Sequence, residues 1–478
     1  MKQDETSAAL RLARFGLLLG RALRHAPPAL LAMTTLAVCT SAWVALRSDP
    51  VAPAGSLWMF SAWRAEVYRD AIDRWAREKN AETFAIQVVE RGVLTRRLVS
   101  GFTSGTPVAD LIEIDIDHAT ATFAAPLADI GYLDLAPWMR DSELAGQIPP
   151  AALTPWTLNG RVFGLPVAVH PVALAYRADI VEAAGIDLTQ AQTWDDFVRL
   201  LRPLQRDDDG DGQLDRYLLN LWPTGPGAPM TMSILIHQAG GRFITEDHRV
   251  AFDSEVVARV LATIVSWCAG PNRIAIDTPE ISAPGNALKL QGRVIACLAP
   301  DWLCGAWKRD LPDLAGKWKL MPLPAWTPGG LRTSVHGGTM LAVNRDSPRR
   351  REAVALALAL YRNRDVGAAL FRQGRIVSAY RPHWDHPVFA EPDPYFAGQV
   401  VGRFFTELIA EVPARETSPF LSAATFEVSL VLSELALRAD ATGRHDVESL
   451  LPEARRLLGD ARQRLERTIQ RNRLLQSP

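Results

Sequence analysis

Leu57-Trp58-Met59-Phe60 opens the stretch that decides the fold class. It is an apolar run of strand length, followed by residues 65–79, in which Val67, Ile72 and Trp75 recur at helical spacing. Residues 85–89 read as a second strand, 93–99 as a second helix and 108–116 as a third strand. Such alternation predicts an open α/β sheet with helices on both faces. Ligands of these sheets bind beyond the carboxyl ends of the strands, which directs attention to residues 61–64 and 115–118.

Further along, Thr193-Trp194-Asp195-Asp196 has the form of a capping box and predicts a helix running to Leu204. An acidic turn follows, then a Pro/Gly-rich loop over 222–229, a helix from Met230 and a turn at Gly240-Gly241. Residues 255–268 and 350–361 are amphipathic, and the last forty residues read as helical with an Arg-rich solvent face. A chain of 478 residues is long enough for two well-buried cores. Its apolar share of 48% and charged share of 22% match soluble globular proteins and argue against disorder or a polytopic membrane protein. With 52 basic against 53 acidic residues there is no electrostatic footprint for nucleic acid. Tryptophan is abundant, 14 residues against 7 tyrosines and 16 phenylalanines. Flat indole rings suit a pocket for a polar ligand with apolar C–H faces, and equally serve as core filler.

Residues 26–46 carry no charge and are long enough to cross a bilayer core of about 30 Å at about 1.5 Å per residue. Lys2, Arg11, Arg14, Arg21 and Arg24 precede them, which keeps residues 1–25 in the cytoplasm and sends the body outside. The segment is expected to act as a retained transmembrane anchor, or as a signal segment cleaved near Thr40-Ser41-Ala42. Leu36-Ala37-Val38-Cys39 approaches a lipoprotein box but departs from it at Val38. Residues 47–56, with Pro50, Pro53 and Gly55, form a linker. Beyond Cys39 the chain has Cys268, Cys297 and Cys304, an odd number; Cys297 and Cys304 are either bridged or buried as free thiols.

One ordered series of motifs runs through the body: Asn159-Gly160-Arg161-Val162-Phe163-Gly164-Leu165-Pro166-Val167, Ala175-Tyr176-Arg177-Ala178-Asp179-Ile180, Ala184-Gly185-Ile186 and Thr193-Trp194-Asp195-Asp196-Phe197. His237-Gln238-Ala239-Gly240-Gly241, Gln291-Gly292-Arg293-Val294-Ile295-Ala296, Asp301-Trp302, Pro322-Leu323-Pro324 and Val335-His336-Gly337-Gly338 continue it. The series resembles the signature of the family 1 extracellular solute-binding proteins over roughly residues 57–460, and Pro394-Tyr395-Phe396-Ala397-Gly398-Gln399 is similar to a motif of lactose-binding members. That resemblance implies a two-lobed α/β periplasmic-binding-protein type II fold with a hinge and an interlobe cleft. Lobe one would comprise 57–160 and 331–379, lobe two 161–330 and 380–460, and residues 461–478 a C-terminal helix. It further implies a monomeric, extracytoplasmic body that captures a small solute, a mono- or oligosaccharide, and presents it to ABC permease subunits through hinge closure. The alternative is a membrane-tethered sensor with the same fold.

The expected ligand contacts follow from strand ends and from the resemblance. Trp63 and Arg64 follow the first strand, and Asp115 and Asp117 end the third, with Asp117 alternatively a helix N-cap. Trp302 stands in the family's stacking position, and Trp222 lies on a loop without a helical stripe to fill. His336, Gly337 and Gly338 offer backbone N–H groups near a ligand or form a plain turn. His170 stands where many family members carry a carboxylate, and a neutral imidazole donates as well as accepts. Asp207, Asp209, Asp211 and Asp215, with Gly212, match the first half of an EF-hand-like loop for calcium, but position 12 is Leu218 instead of Glu. No other cofactor is expected.

An enzyme is disfavoured. The chain has no Gly-x-Ser-x-Gly elbow, no phosphate-cradling Gly-rich loop before Lys-Ser or Lys-Thr and no His-Glu-x-x-His helix. Asp115 and Asp117 share one face of one element, whereas a glycosidase pair flanks its substrate from different elements.

Overall fold

The computed structural model describes residues 55–123, 130–211, 214–221, 229–245, 247–415 and 417–471, together with positions 27, 33, 35, 36 and 40. The chain divides into Met1–Ala54 and Gly55–Pro478. The expected leader and linker, Cys39 and Trp222 thus lie wholly or almost wholly outside the described residues. Among the described residues no helix is long and apolar enough to cross a membrane.

Strand β1 (Gly55–Met59) alternates buried and half-buried positions, with Leu57 and Met59 turned to the core. Helix α1 (Ala62–Lys79) buries Tyr68, Ile72 and Trp75 on one stripe and ends at Asn80, whose left-handed backbone (φ 47°) lets its N–H reach the carbonyls of Ala76 and Arg77. β2 (Phe84–Val88) leads to α2 (Arg91–Ser104), capped by the Glu90 carboxylate accepting from the N–H groups of Gly92 and Val93. β3 (Leu111–Asp115) runs into the single-turn α3 (Ile116–Ala119). These strands pair in parallel, with β1 between β2 and β3.

A small hairpin, β4 (Thr157–Leu158) and β5 (Arg161–Val162), precedes β6 (Leu165–Ala168), and β7 (Pro171–Arg177) follows at once. β6 belongs to the first sheet and β7 to the second. The chain therefore changes sheet at Val169-His170, some way past residue 160. The second lobe contains α4 (Trp194–Leu201), whose Thr193–Asp196 capping box forms as the sequence predicts. It continues with β8 (Tyr217–Leu221), α5 (Pro229–Gln238), α6 (Glu255–Cys268), β9 (Ala275–Asp277), β10 (Val294–Pro300), α7 (Asp301–Asp310) and β11 (Trp318–Pro322). The chain then returns through β12 (Ser334–Val335), paired with β7, to β13 (Thr339–Val343), which closes the first sheet between β3 and β6. Sheet orders are β2-β1-β3-β13-β6 and β11-β7-β10-β8-β9.

α8 (Arg350–Arg362) and α9 (Arg364–Gly374) pack on α1, and α9 also meets α7 of the other lobe. There the backbones touch: a Cβ at Gly305 would lie 2.2 Å from the carbonyl oxygen of Gly374. α10 (Leu421–Thr442) and α11 (Val447–Arg471) finish the chain against α6. The Arg-rich last helix has a physical explanation: Leu451, Leu458 and Leu465 enter the second-lobe core, while Arg455, Arg462 and Arg464 pair with Glu255, Asp253 and Glu427. Cys268, Cys297 and Cys304 are free thiols, so no Cys297–Cys304 bridge forms; both lie fully buried, and burial pushes their thiols well above the usual range. The Gln399 of the 394–399 motif holds the backbone of Leu320 through both amide atoms, at 2.7 and 2.9 Å, extending the edge of β11.

Candidate functional site

The segment His336-Gly337-Gly338 carries the chain from β12 back to β13 between the lobes, with φ of 95° and 136° at its glycines. Those angles favour glycine strongly. Behind it, a Cβ at Gly337 would come within 3.1 Å of His170 Cδ2 and 3.3 Å of Trp302 Nε1. The Trp302 indole N–H donates to the carbonyl of His336 at 3.3 Å. Asp301, fully buried at the start of α7, organises this side. Its Oδ1 lies 2.6 Å from His170 Nδ1 and accepts from the Trp302 N–H, and its Oδ2 accepts from the Val377 N–H at 2.8 Å. One carboxylate thus joins the outward crossing at His170, helix α7 and the segment at Val377. His170 makes this bond through Nδ1, is buried, and is not among the residues that line the cavity in front of the segment.

In front of the same segment lies a cavity of about 440 Å³, within the span of roughly 300–1,000 Å³ usual for small-molecule sites. The first lobe contributes Ile116, Asp117, His118 and Thr120, and the second contributes Met230, Ser233, His237, Phe243 and Ile244. His336 belongs to the crossing, and Arg415, Leu421, Ser422, Thr425 and Phe426 come from the start of α10 and the residues before it. The Thr120 and Ser422 hydroxyls meet at 2.7 Å, and Ser422 also donates to the carbonyl of Asp117, so α10 touches the first lobe across the cleft.

The electrostatics of the cavity follow from enclosure. His237 and His336 are held down to about 3, first by burial and then by the charge of Arg415, so both imidazoles are neutral. Burial also lowers Arg415 to about 10, and its Nη2 donates to the carbonyl of Gly337. Asp117 meets the water of the cavity, yet protein encloses it on enough sides that burial, and then the charge of Asp115, raise its carboxyl. His118 is raised by its 2.7 Å bond to Asp115.

Of the residues singled out in the sequence, Asp117 and His336 line the cavity, and Gly337 supplies the carbonyl that Arg415 grips. Asp115 caps α3 and pairs with Arg91 at 3.0 Å and with His118, so it is occupied within the first lobe. Arg64 is buried against Glu113 at 3.0 Å, and Trp63 packs on Gly374. The Gly338 carbonyl accepts from the Ile116 N–H. Trp302 stands behind the crossing. Arg415, His237, Phe243 and Phe426 were not anticipated as site residues, although His237 begins one of the quoted motifs. Asp207, Asp209 and Asp215 bring carboxylate oxygens within 4.8 Å of one another, but Asp215 already pairs with Arg293 at 3.0 Å and Leu218 is buried in β8.

The family model described as "Bacterial extracellular solute-binding protein" matches residues 61–364, and the chain belongs to that family. It is 25% identical over 373 residues to the arabinooligosaccharide-binding protein of Halalkalibacterium halodurans, covering 74% of this chain and 76% of that one. To the lactose-binding protein of Rhizobium radiobacter it is 23% identical over 370 residues, covering 73% and 80%. Among solved structures, the sugar-binding protein MalE of Xanthomonas citri superposes with a TM-score of 0.69 at 16% identity, covering 87% of this chain and 99% of that one. The fold is therefore the two-lobed arrangement of such proteins, and the family is one of extracytoplasmic binding proteins.

Proposed function

We propose that the chain is the solute-capturing subunit of an ABC importer, taking a mono- or oligosaccharide into the cavity between its lobes and releasing it unchanged to a membrane permease. The observation that carries this reading is a cavity walled by both lobes and by the crossing segment, so that a bound solute touches every part that must move together on closure. Apolar walls from Ile116, Met230, Phe243 and Phe426 match the C–H faces of a sugar ring, while Asp117, Ser233, His336 and Arg415 replace water on its hydroxyls. The names of the relatives agree with a saccharide ligand. Binding without turnover is supported by the state of Asp115, held by Arg91 and His118, which leaves Asp117 as the one free carboxylate lining the cavity among the described residues. We further propose that residues 26–46 tether the body outside the membrane.

A thermal-shift screen over mono- and disaccharides, polyols and polyamines tests the reading. A cleft ligand at a hundredfold excess over Kd stabilises by about 2.7 kcal/mol, and the stabilising solute should return unchanged on chromatography. A screen in which only polyamines shift the melting, or in which the sugar returns cleaved, removes the proposal.

A further inference from the structure

We infer that the solute carries an acidic group, as in a uronic acid or a sugar phosphate, and that Arg415 receives it. The inference rests on the cavity being the solute site and goes on to name the chemistry that it selects. Among the described residues five titratable side chains line the cavity, and four of them are basic: His118, His237, His336 and Arg415. They arrive from α3, α5, the crossing segment and the stretch before α10, so no single local motif explains their convergence.

Arg415 is the decisive member. The fully buried guanidiniums among the described residues face carboxylates, Arg64 with Glu113, Arg177 with Asp179 and Arg375 with Asp393, at 3.0, 2.6 and 2.7 Å, whereas Arg415 is half-buried on the cavity wall. Among the described residues Arg415 forms no such pair; its one protein bond is to the carbonyl of Gly337. A guanidinium has five N–H donors in a planar fork, so donors remain to face the cavity that it lines. Half-buried on the cavity wall, it feels the charge of Asp117 across the cavity but forms no direct ion pair with it, which leaves room for a ligand's anion. His237 and His336 stand beside it as neutral rings, and among the described residues neither is hydrogen-bonded to a carboxylate. They can add N–H donors to an anion without attracting one by themselves.

A metal ion does not explain the cluster. Among the described residues the His, Cys, Asp and Glu atoms spaced for a metal are those of Asp207, Asp209 and Asp215, and none belongs to this cavity. Among the described residues Asp117 is the one acidic side chain that lines the cavity. It fits the ligand's hydroxyls as an acceptor, while the carboxylate or phosphate takes the Arg415 side.

Isothermal titration of the full-length chain at neutral pH, with matched pairs, tests this: glucose with glucuronate and glucose 6-phosphate, galactose with galacturonate and galactose 6-phosphate, and inorganic phosphate alone. In at least one set an acidic member should bind about tenfold or more tightly than its neutral counterpart, with the advantage shrinking as salt rises. Whether carboxylate or phosphate ester wins identifies the source of the anion. Arg415→Gln should erase the acidic advantage and Arg415→Lys should retain part of it, with the melting of the ligand-free variants reporting that they fold. Neutral sugars binding as tightly as acidic ones, or Arg415→Gln weakening both members equally, overturns the inference and leaves solute capture standing. Inorganic phosphate binding as well as any sugar overturns the saccharide part, and a chain that binds no saccharide at all removes both readings.

Discussion

The two sides of the crossing segment 336–338 differ in how their polar groups are satisfied. Behind it, Asp301 holds His170, Trp302 and Val377 with both oxygens, and the Trp302 indole closes on the carbonyl of His336. In front of it, Arg415 spends one bond on Gly337, and among the described residues the two neutral imidazoles beside it make no hydrogen bond to a carboxylate. Buried polar groups are normally paired inside the protein. The side that must stay rigid while the lobes move follows that rule, and the side that must accept a solute leaves part of the pairing to the solute. Polar satisfaction therefore separates hinge from site more sharply than burial does.

The strongest way to break this contrast is to remove the carboxylate on the saturated side. Asp301→Ala leaves the His170 ring and the Trp302 and Val377 N–H groups without their acceptor in a fully buried position. Leaving a buried hydrogen-bonding group without its acceptor costs about 1–3 kcal/mol, read as a lowered denaturant midpoint. Asp301→Asn keeps one acceptor oxygen and should fall between. A loss under about 1 kcal/mol would mean that the hinge side is not held by this group.

A smaller effect is expected at Gly337, which both sides share. Alanine there must adopt φ near 95° and press its Cβ toward His170 and Trp302. The strain should cost about 1–3 kcal/mol, and Arg415 should lose alignment as the carbonyl it grips moves. Melting and solute affinity should therefore fall together in Gly337→Ala. Unchanged affinity at reduced stability would uncouple the crossing from the site.

What the sequence revealed follows the same division. The strands and helices of 55–115 were legible because burial imposes period two on β1 and a stripe on α1, and the Thr193 capping box is a purely local arrangement. The crossing was placed too early because Leu165-Pro166-Val167-Ala168 is equally apolar in either sheet, and only pairing with β13 assigns it to the first. Arg415 carried no signal: it lies in a loop without periodicity and acquires meaning only beside His237 and His336, far away in sequence. Trp302 and His170 stood out as residue types suited to sugar, yet the fold uses them to fasten the crossing from behind. A residue type announces what chemistry it can do, and the side of the backbone it occupies decides whether that chemistry is turned inward or offered to a ligand.

The smallest predicted effect sharpens the contrast from the open side. His237 and His336 titrate near 3 when folded and near 6.5 when unfolded. Between those values the unfolded chain binds protons that the folded one refuses, so their stabilisation is complete above about pH 6.5 and is lost as the pH falls toward 3. His383, held down to about 4 by burial, acts with the same sign, and the raised carboxyl of Asp117 acts against it. The contribution of the pair is thus read as a difference: urea midpoints of the parent should drop more between pH 7.5 and pH 4.5 than those of His237→Gln/His336→Gln. An anion seated on Arg415 would screen the charge that helps hold both rings neutral, so a bound acidic sugar should flatten the parent's slope further than a neutral sugar does. Equal slopes with and without the histidines would show that the rings meet enough water to charge in place, and the front of the crossing would then be less enclosed than its geometry indicates.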